Sequence, residues 1–286
     1  MQITQKKTVE ELLKQADKLP PLPAIASKAL RLMRDPDFSM KALAELIATD
    51  VSISSTVLRW ANSSLYALSS PVSTISQAVN FLGANVIRSL VLSVAMLSFM
   101  EKPLPGYNLD KGELWKHSLG MAIAARLVMT KYGPQLAEEA YTAGLICDVG
   151  KLVFEAELRD LNLDLPELEG KNFAEVEKIF FGMSHADMGA ELARRWEFPE
   201  PLMEAIAYHH SPAQSSKKTV LPAAVHIADN IVNRLGIGLG CDGATYQLEP
   251  YALQALGLSD GSLDHLLAQT MAQFQESESL RKGGAI

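Results

Sequence analysis

Between Ala143 and Lys151 the chain reads Ala-Gly-Leu-Ile-Cys-Asp-Val-Gly-Lys, an apolar helical run broken at Gly150. The break sets a thiol, a carboxylate and an ammonium, those of Cys147, Asp148 and Lys151, within about one helical turn. Four of the six histidines, His117, His185, His209 and His210, and a further carboxylate, Asp229, lie in segments that a helical bundle could gather around that turn. Imidazoles and carboxylates bind zinc, iron or manganese at about 2.0–2.2 Å. A carboxylate such as that of Asp148 could bridge two ions whose shared water becomes a nucleophile, and Lys151 could steady the charge that develops on a phosphoester. Each residue alone also has a plainer reading. Cys147 is then a small buried hydrophobe, Asp148 a helix cap, Asp229 the partner of a nearby cation, and His226 and His265 surface or hydrogen-bonded rings.

The elements that must position these side chains are helical. Thr8 with Glu11 and Thr74 with Gln77 form capping boxes, and Asn172 with Glu175 and Ser184 with Asp187 are looser versions. Helices are expected near 9–18, 24–34, 39–48, 51–61, 75–82 and 84–100, then near 111–131, 134–147, 151–158, 173–181, 186–195, 200–209 and 220–235. Pro20, Pro21 and Pro23 separate the first two, because proline cannot donate within a helix. No strand is expected. Lys102 to Asp110, rich in proline and glycine, is the expected boundary between lobes, and Gln214 to Thr219 a polar loop. After Leu235 a glycine-rich connector leads to two short helices near 250–256 and 261–277. The expected fold is all-α, with two packed helical lobes over 1–101 and 110–236 and a C-terminal extension over 237–286.

With 286 residues, 48% hydrophobic and 21% charged, the chain suits one or two globular domains with a sizeable core. A formal net charge of -7 with dispersed lysines and arginines argues against a general nucleic-acid grip. Met1 to Leu13 resembles neither a signal nor a transit peptide, and the longest uncharged apolar run, Ser89 to Met100, is shorter than the ~20 residues of a membrane span. Two cysteines are too few for a disulfide framework, so a reducing, cytoplasmic setting is expected.

A second set of signatures runs through the first half: Leu19-Pro-Pro-Leu-Pro23, Asp35-Pro36-Asp37, Leu46-Ile47 with Asp50, Leu58-Arg59-Trp60-Ala61-Asn62-Ser63, and Phe81-Leu82-Gly83 with Val86 and Arg88. Together they resemble the HDOD family, helical output domains of bacterial signalling proteins related to the HD phosphohydrolases, over about Leu19 to Asp229. Leu43, Leu46 and Ile47, and again Val57, Leu58 and Ala61, share helix faces suited to packing. Asn62-Ser63 is expected to close its helix, because asparagine tolerates left-handed geometry and serine bonds back to the chain. Alternatively Arg59, Asn62 and Arg88 present a recognition surface for a partner.

The resemblance also implies roles in the second half. His117 corresponds to the early histidine of the HD superfamily, Cys147-Asp148 to its His-Asp doublet, Lys151 to the lysine that follows, His185, His209 and His210 to later histidines, and Asp229 to the late aspartate. The implied metal ligands are His117, Asp148, His185, His209, His210 and Asp229, with Glu113 and Cys147 as further candidates. Asp148 and Lys151 are the candidate catalytic pair. Two departures stand out. A cysteine sulfur lies closer to the backbone than a ring nitrogen and adds negative charge, so partial occupancy by iron, manganese or zinc is implied. The loop after His210, Ser-Pro-Ala-Gln-Ser-Ser-Lys-Lys, also lacks the Gly-Tyr-Pro element of HD-GYP phosphodiesterases. The leading expectation is a non-catalytic signalling module that works through protein contacts or by sensing a metal or a small ligand in the HD-like pocket. The other is a metal-dependent phosphohydrolase or phosphodiesterase.

Overall fold

The structure, a computed structural model, describes residues 8–282 apart from 20, 36, 64, 65, 67, 160–171, 217 and 218. Pro20 and Pro36, and the loop residues Lys217 and Lys218, therefore lie outside the described residues. The chain is helical, and among the described residues the only β-type pairing is an isolated bridge between Leu104 and Leu109. It divides into two compact units, Met1–Pro20 with Met100–Leu267 and Pro21–Phe99 with Ala268–Ile286. The lobes expected from the sequence follow chain order, whereas this division gives the first residues to the later unit and the last residues to the earlier one. Which helices pack together depends on which apolar faces fit, and chain order does not encode that.

The smaller unit contains α2 (Ala24–Leu32), α3 (Met40–Ala48), α4 (Val51–Ala61), most of α5 (Ile75–Met100) and the later part of α14 (Asp260–Lys282). Ser39 and Asp50 cap α3 and α4 by accepting from Ala42 N and Ile53 N. The buried faces are Leu43, Ala44 and Ile47 on α3 and Ile53, Val57, Trp60 and Ala61 on α4, while Leu46 and Leu58 are only half-buried. The core stripe is thus turned slightly from the face expected. Separate helices were expected on either side of Gly83, and within α5 Gly83 breaks the helical backbone at φ 79 and ψ 162. Helix α5 is long and apolar enough by length and composition to cross a membrane, with a mean hydropathy of 1.7 over its best window. Of that window 44% is buried, and Ile87, Leu90, Leu92 and Met96 have places in the protein core.

Asn62 closes α4 as expected, but by a different geometry. Its backbone is not left-handed, at φ -84 and ψ 3; instead its side chain donates to the Leu58 and Val72 carbonyls and accepts from Val72 N at 2.7 Å. It clamps the end of α4 to the next extended segment. Arg59 reaches the Leu280 carbonyl at 3.5 Å, and Arg88 is half-buried. These contacts give Arg59 and Asn62 work inside the unit.

The larger unit is built on α6 (Glu113–Met129), α7 (Pro134–Ile146) and α12 (Leu221–Arg234), which pack on one another. Helix α6 is buried on nearly every side, from Leu114 to Met129, as expected of a helix at the centre of a bundle. Around it lie α1 (Val9–Ala16), α8 (Lys151–Arg159), α9 (Phe173–Phe181), α10 (His185–Arg195), α11 (Glu200–Ala207) and α13 (Pro250–Leu256). Thr8, Asn172 and Ser184 form full capping boxes with Glu11, Glu175 and Asp187, and Thr74 and Gln77 exchange the corresponding bonds. The Lys102–Asp110 segment is part of this unit and not a link outside it. Its short 3-10 turn, Pro105–Tyr107, buries Tyr107 completely, and Gly106 N donates to Glu155 at 2.9 Å. The final helix, α14, runs well past the short helix expected at 261–277.

Among the described glycines, Gly150 has the closest surroundings. A Cβ there would lie 2.0 Å from the His185 carbonyl oxygen, so only glycine lets the α7–α8 turn approach the start of α10 this closely. Gly150→Ala is expected to lower unfolding stability by ~1 to 3 kcal/mol, since backbone and not a flexible side chain must give way. Gly261→Ala, at a helical site with open space around it, is the control and should be neutral or mildly stabilising. Denaturant unfolding of the two variants checks this, and equal midpoints would refute the packing argument.

Candidate metal centre

Six elements deliver the side chains. His117 lies one turn into α6, Cys147 and Asp148 in the turn after α7, Lys151 at the start of α8, His185 at the first position of α10, His209 and His210 just past α11, and Asp229 on α12. All sit in the larger unit, and all seven apart from Cys147 face one another. Asp148 stands in the middle, with Oδ2 3.3 Å from His117 Nε2 and Oδ1 3.4 Å from His185 Nε2 and 3.9 Å from His209 Nε2. Asp229 joins from the other side, with Oδ1 3.5 Å from His117 Nε2 and Oδ2 3.5 Å from His210 Nδ1. Lys151 Nζ lies 3.1 Å from Asp148 Oδ1 and 2.7 Å from Asp242 Oδ2.

The rings are held from behind. Glu177 is fully buried, and its Oε2 accepts from both the His185 backbone N and Nδ1 at 2.7 Å. Because a carboxylate can only accept, Nδ1 carries the hydrogen and Nε2 is the His185 atom left to face the cluster. The other carboxylate oxygen of Glu177 accepts from the Tyr107 hydroxyl at 2.5 Å. His117 Nδ1 donates to the Ile237 carbonyl at 3.1 Å and His209 Nδ1 to the Ile206 carbonyl at 2.6 Å, so both rings turn Nε2 inward. His226 Nδ1 donates to the His209 carbonyl at 2.8 Å, which makes His226 the hydrogen-bonded residue expected, and His265 is exposed. Asn233 donates to Asp229 Oδ1 at 2.9 Å. Tyr246 lies flat on His210, with ring centroids 3.6 Å apart and planes 6° apart.

Electrostatics sort the groups into charged and neutral. Burial opposes ionisation of Asp148, but Lys151 and His117 outweigh it and hold the carboxyl well below the usual range. Burial likewise opposes the Lys151 ammonium, and Asp148 and Asp242 together raise its pKa. Burial pulls His209 down to about 4 despite the nearby Asp148. It also pushes His210 well below the ordinary imidazole value, with His209 and His185 adding to the effect. His117 and His185 are raised because their carboxylate partners overcome the burial that would lower them.

Ligand atoms of Asp148, His185, His209 and His210 all lie within 4.8 Å of one another. His209 Nε2 is buried and makes no regular hydrogen bond, which would leave an expensive deficit in a closed core. One carboxylate and three imidazoles, two of them neutral, fit a divalent transition metal. His117 and Asp229 flank that set on the side of Asp148 Oδ2. Cys147 stays out of it. Its Sγ is fully buried and donates to the Gly144 carbonyl at 3.2 Å, and burial, with Asp148 and Asp229 nearby, pushes the thiol well above its ordinary pKa. Glu113 pairs with Lys116 on its own helix.

Sequence reasoning missed Glu177, Tyr107, Asp242 and Tyr246. The first two lie 70 residues apart, and nothing local to either marks the bond between them. Asp242 had one visible signal, a lone acidic residue between glycines in an otherwise uncharged stretch.

A profile of the HDOD domain family matches residues 19–212. The crystal structure of an HDOD domain protein of unknown function from Geobacter sulfurreducens is 26% identical and superposes with a TM-score of 0.74 over 97% of this chain and 100% of that one. A protein from Shewanella amazonensis SB2B, named "Putative phosphohydrolase", is 27% identical with a TM-score of 0.71 over 94% of this chain and 97% of its own. An uncharacterised protein of Treponema pallidum (strain Nichols) is 27% identical over 203 residues, 68% of this chain and 39% of the relative. The chain thus matches well under half the length of that relative.

Removing what orients His185 should be felt at the cluster. Glu177→Ala is expected to weaken manganese or zinc affinity ~10- to 100-fold and Cys147→Ala to leave it unchanged, as metal titrations of the folded proteins would report. Equal losses for both variants would refute the assignment of Cys147 outside the cluster.

Proposed function

Because the chain belongs to the HDOD domain family, we propose that it is a regulatory module of a signalling pathway whose buried pocket binds a divalent iron, manganese or zinc ion without turning over phosphoesters. The observation that carries this reading is convergence combined with closure. Asp148, His185, His209 and Asp229 face one another, yet they are only 2%, 0%, 1% and 4% exposed, and Lys151 is 4% exposed. A hydrolytic step needs the reacting atoms about 3–3.5 Å apart and in line, and a substrate cannot reach that distance while these side chains are sealed.

Asp148, His185, His209 and His210 would hold the ion, with His117 and Asp229 alongside. A bound ion supplies Lewis acidity and lowers the pKa of bound water to about 7. The protein's own groups do the positioning: Glu177 keeps His185 Nε2 forward, Ile206 and Ile237 carbonyls set His209 and His117, and Lys151 offsets the buried carboxylates. The output of such a module is a surface read by a protein partner, and the net charge of -7 disfavours nucleic acid in that role.

A metal-dependent phosphohydrolase is the second reading. It is favoured by the way Asp148 turns one oxygen to His117 and the other to His185 and His209, and by the 27% identity to the Shewanella protein named "Putative phosphohydrolase".

Protein purified without chelators is expected to carry metal that His209→Ala loses, by elemental analysis. Incubated with cyclic dinucleotides, nucleotides and generic phosphodiesters plus manganese, iron or zinc, it should show no turnover above an Asp148→Ala control. Robust turnover that disappears in that control would establish the phosphohydrolase reading in place of the first.

A further inference from the structure

The cover over the cluster comes from one stretch, residues 236–249, which follows α12 and lies beyond the 19–212 matched by the family profile. It is tied down at intervals. The Ile237 carbonyl accepts from His117, Cys241 N donates to the Tyr107 carbonyl at 2.8 Å, and Glu249 N donates to His226 Nε2 at 2.9 Å. A Cβ on Gly238 would lie 2.4 Å from the Glu113 carbonyl oxygen, and φ there is +60, so the strap lies directly on α6. Between these ties Asp242, itself 2% exposed, places Oδ2 2.7 Å from Lys151 Nζ, and Tyr246 covers His210.

Lys151 therefore has two carboxylate partners of different kinds. Asp148 is shared with His117, His185 and His209 and is fixed by the α7–α8 turn that Gly150 packs against α10. Asp242 has no histidine partner and stands in a short Gly-Cys-Asp-Gly turn of the strap. We propose that the Asp242 carboxylate occupies an anion subsite on Lys151 that takes a phosphoryl group, and that a phosphoester or phosphate binds by displacing Asp242 and lifting the strap. One anionic oxygen replaces another on the same ammonium, so Lys151 keeps a charged partner. A second group is ready for such a ligand. The Tyr246 hydroxyl is buried and makes no hydrogen bond, although buried hydroxyls nearly always find a partner. This inference deepens the metal-pocket reading and rests on it, with the strap converting ligand binding in the pocket into a change at the surface.

The test uses the full chain, loaded with manganese, as wild type and as Asp242→Asn, with inorganic phosphate as the probe. Phosphate is expected to speed hydrogen exchange of the Cys241 and Glu249 amides in the wild type while α10 amides stay protected. Asp242→Asn, relieved of its internal competitor, should bind phosphate about tenfold more tightly and exchange those amides quickly without it. Elemental analysis of the same samples separates the two readings: metal-free protein with the phosphate response intact would sink the metal pocket and keep the subsite. Metal-loaded protein in which Asp242→Asn changes neither phosphate affinity nor strap exchange would overturn the subsite and keep the pocket. Should Asp242→Asn fail to fold, unchanged wild-type strap protection at saturating phosphate overturns it alone.

Discussion

A carboxylate held away from water at the centre of a helical unit is the constraint around which the larger unit is arranged. Taking an ion of that size out of water costs several kcal/mol even after the protein relaxes, so it needs cations and hydrogen-bond donors on every side. Asp148 has Lys151 at 3.1 Å and His117 and His185 at 3.3 and 3.4 Å, and each of these brings a partner of its own. The chain continues outward through Asp242, Ile237 and Glu177 to Tyr107, so the compensation of one charge recruits residues from α6, α8, α9, α10 and the strap. Coupling of this kind explains why so many polar groups lie in a core that is otherwise apolar.

The geometry of that network bears on chemistry as well as stability. A ring bonded through Nδ1 presents Nε2, and His117, His185 and His209 are all bonded in that way. Three imidazoles aimed at one carboxylate, with neutral rings favoured at His209 and His210, make a cluster that could hold a metal ion. In the proposed reading, closure by Tyr246 and Asp242 separates a pocket that holds an ion from one that processes a substrate.

Cys147 illustrates how a residue type can mislead when its direction is unknown. At the doublet position a thiol reads as a damaged ligand, but the last turn of α7 points it at its own helix, toward Gly144. The position is a packing site, and the donor set closes through His185, His209 and His210 without it. Asn62 is the parallel case in the smaller unit: it ends its helix by bonding Val72 with its side chain and keeps ordinary backbone angles.

Helix positions were legible in the sequence because their signals are local. A cap and its partner lie three residues apart, as Thr8 and Glu11, Asn172 and Glu175, and Ser184 and Asp187 do, and α4, α9 and α13 run over the spans expected. The identities of the converging groups were legible too, since the order His117, Asp148, Lys151, His185, His209, His210 and Asp229 can be read along the chain. Tertiary structure alone decided what stands behind them: Glu177 under His185, Asp242 on Lys151, Tyr246 over His210, and Tyr107 in a segment that reads as a link. It also decided that α1 packs with the later helices and the end of α14 groups with the earlier ones. Such pairings depend on the shape of buried faces and on charge balance in a closed core, and a one-dimensional pattern carries neither.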